Sequence, residues 1–103
     1  MTMDGGLTLG ETATGKPKIV IARDVGHDSF ELHAQAFVDR FGLSVKKKLS
    51  VQRSLECPIK LTWVGMLEDH ELCISWDDWC SEVNAMAWGD TPDEVVHDIL
   101  GRA

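Results

Sequence analysis

A chain of 103 residues, 44% hydrophobic and 26% charged, matches the size and composition of one globular domain, which argues against a second core, wholesale disorder or a fibrous repeat. No apolar run approaches the ~20 residues of a membrane span, and the N-terminus lacks the basic start and apolar stretch of a signal peptide. The expectation is a cytoplasmic protein without a membrane partner; the three cysteines, Cys57, Cys73 and Cys80, odd in number and without scaffold spacing, fit reduced thiols.

Residues 1–16 carry four glycines and four threonines and little to anchor a core, so they are expected to form a flexible arm ahead of a single α+β domain at 17–103. Lys18 to Arg23 (KIVIAR) is β-branched and too short for a helix, which predicts a strand. Asp28 and Glu31 have capping-box spacing, and Phe30, Ala34, Phe37, Val38 and Phe41 follow at steps of three and four. That predicts an amphipathic helix over 29–41, stopped by Gly42, with Leu43 closing the apolar contact behind it.

From Val45 to Leu55 the period changes to two, with Val45, Leu49, Val51 and Leu55 on one face and Lys46, Lys48, Ser50, Gln52 and Ser54 on the other. Ile59, Leu61 and Trp63 alternate next, and after an interruption at Glu68 to His70 so do Leu72, Ile74 and Trp76. Short connections make these a three-stranded antiparallel meander. Residues 78–88 fit two periods; Asp77 and Asp78 at a helix start, the alanines and the stop at Gly89 favour a helix. Thr91, Pro92 and Glu94 form a second capping box ahead of Val95, Val96, Ile99 and Leu100, which predicts a closing helix. The expected fold is an antiparallel sheet of about four strands with two or three helices packed on one face.

The net charge of −7 is segregated: residues 40–60 hold six basic side chains and one acidic, residues 61–103 one basic and ten acidic. An acidic C-terminal half repels phosphate backbones and suits a basic protein as partner. Among its carboxylates stand Trp79 and Trp88, and aromatics on an acidic rim have the composition of an interface hot spot for an arginine-rich partner. Asp77, Asp78, Trp79, Glu82 and Trp88 are therefore the candidate partner-binding residues. Lys46, Lys48 and Arg53 form the alternative, a nucleic-acid stripe, against which stands the lack of interleaved aromatics and the use of lysines to guard sheet edges.

No nucleophile elbow or phosphate loop occurs, and Asp77 and Asp78, being adjacent, point apart, so the reading is a non-enzyme without catalytic, cofactor-binding or metal-binding residues. A pocket holding His70, Cys73 and tryptophans is the ligand-binding alternative. Gly89-Asp90-Thr91-Pro92-Asp93-Glu94-Val95 resembles the strand-to-helix passage of HicB-type antitoxins, with Asn84-Ala85-Met86-Ala87-Trp88 where that family has Leu-Pro-Gly-Cys. The resemblance implies a regulator that contacts nucleic acid. The leading expectation is a small acidic module that binds and regulates or inhibits a basic protein, in the manner of immunity proteins, antitoxins and phage inhibitors, with homodimerisation through a sheet edge as a further expectation.

Overall fold

The computed structural model describes residues 6–54 and 57–102, without the side chain of Cys57. The first five residues of the expected arm, Leu55 and the Cys57 thiol lie outside the described residues. The elements run β1 (Thr8–Glu11), β2 (Pro17–Ala22), a 3-10 turn (His27–Ser29), α1 (Phe30–Phe41), β3 (Ser44–Ser54), β4 (Cys57–Leu67), β5 (His70–Asp77), β6 (Glu82–Ala87) and α2 (Glu94–Gly101). The strands form one antiparallel sheet in the order β1-β2-β6-β5-β4-β3.

The α+β class is as expected, and among the described residues the sheet has six strands rather than about four. Both added strands come from misread segments. Part of the expected arm pairs as β1, Thr8 against Val20 and Glu11 against Pro17, and Leu7 is buried in the core. A glycine- and threonine-rich stretch carries little periodicity of its own, and it is backbone pairing to β2 that holds it.

The segment expected as a helix is β6, a central strand paired to β5 and β2. Its period of two won because it buries Val83, Ala85 and Ala87 among the helices while Asn84 and Met86 face away. Ala85 and Ala87, scored as helix formers, are there small side chains beneath the region where α2 packs on β2 and β6.

Both α-helices cover the same face. Phe30, Ala34, Phe37 and Val38 of α1 and Val95, Val96 and Ile99 of α2 share one core with Ile19, Trp63, Leu72, Ile74, Trp76 and Val83. The cross-strand row Ile19, Ala85, Ile74, Trp63 shows that these strand residues sit on one side of the sheet. Trp63 meets Phe30 edge-on at 5.8 Å.

Neither capping box operates as spaced. α1 is entered from the 3-10 turn with no side-chain cap at Ser29, and the Thr91 hydroxyl accepts the Glu71 amide at 2.9 Å, tying the approach to α2 onto β5. The α1 stop is as expected. Gly42 is left-handed at φ 71°, and the Leu43 amide returns to the Val38 carbonyl at 3.0 Å while its side chain enters the core.

Two glycine substitutions separate backbone strain from space, since a Cβ would meet nothing within 4 Å at either Gly42 or Gly101. Gly42→Ala is expected to destabilise by about 1 kcal/mol through its positive φ. Gly101→Ala, at the end of α2, is expected to be neutral or to stabilise by up to ~1 kcal/mol. Denaturant unfolding of the two variants checks the contrast.

Candidate interaction surface

Four of the five expected partner-binding residues meet at one end of the sheet, on the turn between β5 and β6. Asp77 ends β5 and organises the turn: its carboxylate accepts the Cys80 amide at 2.8 Å and its carbonyl the Ser81 amide at 2.9 Å. Ser81 takes the left-handed conformation, φ 53°, that lets the chain re-enter β6.

The turn is braced from both sides. The Asp78 amide donates to the Ile59 carbonyl of β4 at 2.9 Å, and the Asp78 carboxylate holds Arg53 of β3 at 2.8 Å. On the other flank the Ser81 carbonyl accepts the Val25 amide at 3.0 Å, and the Val25 carbonyl accepts the Trp76 indole N–H at 2.8 Å. From this frame Trp79 projects with 92% of its surface exposed.

The carboxylates around it are largely engaged within the chain. Glu82 is mostly buried and pairs with Lys18 at 2.7 Å and Arg23 at 3.7 Å, and Asn84 also donates to it at 3.1 Å. Asp78 is matched by Arg53. Trp88, half-exposed, stands past the opposite end of β6, about 20 Å away at the rise of an extended strand. It does not share a site with Trp79.

The alternative lysine stripe is dispersed. A bulge between Val45 and Lys47 breaks the period of two, so Lys46 reaches Glu71 at 3.1 Å while Lys48 stands on the helix side, its ammonium 4.2 Å from the centre of the Trp63 ring. The same bulge places Leu49 and Val51 beside Thr62 and Lys60 on the face away from the helices, and Val45 beside Gly65 on the other. The strand expected to carry one apolar face is instead an edge strand exposed along its whole length.

His70 and Cys73, the proposed pocket pair, lie three residues apart on β5 and so face opposite sides of the sheet. Among the described residues no group of three or more His, Cys, Asp or Glu side chains could hold a metal ion. A groove of about 310 Å³, not anticipated from sequence, runs between the start of α1 and β3, lined by His27, Asp28, Glu31, Lys48 and Trp63. Its residues are distant in sequence, and no local motif announces it.

Desolvation of its sulfur and then the Asp77 carboxylate, which also accepts its S–H, hold the Cys80 thiol above its usual range. Burial raises the Cys73 thiol as well.

No family model, curated protein or solved structure matches this chain. The Gly89–Val95 passage does run from a strand, β6, to a helix, α2. No helix among the described residues is long and apolar enough to cross a membrane.

Two measurements follow from this geometry. Asp77→Asn keeps the oxygen that accepts the Cys80 amide but removes the charge, so the Cys80 pKa falls and its alkylation at neutral pH accelerates several-fold, while Cys73 reacts only on unfolding. Glu82→Gln, which strands the half-buried Lys18 ammonium, destabilises by about 1–3 kcal/mol. Asp78→Asn, in a more exposed pair, costs less than about 1 kcal/mol; denaturant titration ranks the two.

Proposed function

We propose that this protein is a non-enzymatic interaction module that binds a basic protein and thereby regulates or inhibits it. The observation that carries this reading is Trp79, 92% exposed at the tip of a turn that is hydrogen-bonded on both flanks. Covering an exposed indole in a complex removes a large apolar area from water, and a rigid backbone reduces the ordering entropy lost on binding. The electron-rich ring face also suits a guanidinium or ammonium of the partner.

Charge acts at longer range. With Asp78 and Glu82 in ion pairs, attraction comes from the field of a chain of net charge −7 rather than from those two carboxylates. Such a field speeds and orients the encounter, and the tryptophan contributes most of the contact energy. Reversing Asp77, Asp78 and Glu82 to lysine would break the internal pairs together with any interface, so Trp79 is the residue to change.

The test is parallel affinity capture with the unaltered protein and Trp79→Ala at low and moderate salt, identifying bound protein and nucleic acid. The expected result is a basic protein retained by the unaltered chain and weakened in the variant by ~30-fold, the scale of a 2 kcal/mol hot spot. Equal retention by both, or nucleic acid in place of protein, overturns the reading.

A further inference from the structure

We propose that the outer edge of β3 pairs with the same edge of a second copy of this chain, across a two-fold axis at Leu49, joining two sheets into one. Among the described residues β3 is bonded on one side only, to β4, and all eleven of its residues are exposed. Its unused amides and carbonyls are a template for another strand.

Lysines guard such an edge when their side chains project across it. Here three of the four cations of β3 are turned inward, while Lys47, beside Val64, stays on the face away from the helices. Lys46 reaches over β4 to Glu71 on β5, Lys48 lies on the Trp63 ring of β4, and Arg53 bends to Asp78 in the β5–β6 turn. The outer backbone is left open, with Leu49 at 49% and Val51 at 55% exposure on the face away from the helices.

The register follows from the bulges. They lie between Val45 and Lys47, between Val51 and Gln52 and between Gln52 and Ser54, so Lys47–Val51 is a regular run centred on Leu49. A two-fold axis normal to the sheet keeps each residue on its own face, so the axis must pass through a residue. At Lys48 it would set that lysine against its own copy; at Ser50 it would carry the pairing into the second bulge and set Lys47 against Arg53.

At Leu49 the whole regular run is used. Leu49 meets Leu49, Lys48 meets Ser50 and Lys47 meets Val51, with no like charges opposed. The apolar side chains of both copies then gather on one face. The antiparallel relation places the two Trp79 turns at opposite margins of the joined sheet, so both stay accessible to the partner proposed above.

Cysteine cross-linking reads this register. In a Cys57→Ser, Cys80→Ser background, Leu49→Cys is expected to form a covalent dimer on mild oxidation, whereas Lys47→Cys does not, its copies being about 13 Å apart along the strands. By light scattering the unmodified protein is expected at twice the monomer mass, as is Trp79→Ala, with Leu49→Lys at half that value. A monomer mass for the unmodified protein at all concentrations, or equal cross-linking at both positions, overturns the proposal.

Discussion

The architecture depends on β6 pairing on both sides. Through Glu82–Ala87 it meets β5, and through Val83, Asn84 and Ala85 it meets β2, so six residues join the N-terminal hairpin to the C-terminal meander. Were this segment helical, β2 would lose its inner neighbour and α2 much of the surface on which it packs. A central strand satisfies its backbone groups on both sides, and that constraint outweighs the helix propensity of Ala85, Met86 and Ala87.

The same strand sets the surface. Its first residue, Glu82, gathers Lys18 from β2, and the turn before it sends Asp78 to Arg53 of β3. Charges that look segregated along the chain are thus folded onto one another, across 64 residues for Lys18 and Glu82 and 25 for Arg53 and Asp78. Two cations of the basic stretch, Lys46 and Arg53, thus meet carboxylates of the acidic half on one sheet. Pairing withdraws Lys46 and Arg53 from the β3 edge and Asp78 and Glu82 from the turn, leaving the indole of Trp79 and the backbone of β3 exposed.

Stability and presentation are linked at the turn. Asp77 shapes its backbone, Asp78 anchors it to β3 and β4, and Val25 connects it to the buried indole of Trp76. Trp76 and Trp79 therefore have opposite fates three residues apart. The first is held in the core by the alternation of β5; the second follows the end of that strand and stands exposed in the turn before β6.

Local signals determined much of the framework. The step pattern from Phe30 to Phe41 with Gly42 specified α1 and its end, and the alternations through Trp63 and Trp76 specified the β3-β4-β5 meander. These were legible because hydrophobic period and glycine conformation act over a few residues. β1, β6, the use of Thr91 to hold β5, and the division of Lys46 and Lys48 between two faces were decided by the tertiary structure. β1, the Thr91 contact and the lysine division depend on a partner far along the chain or on a bulge that shifts the alternation, which leaves no local pattern to read. β6 carried a period of two beside a helical one, and only its pairing to β2 and β5 decided between them. The acidic tryptophan-bearing segment was visible in sequence, but only folding shows Trp79 presented and Trp88 set apart, because the separation is the length of a strand that could also have been a helix.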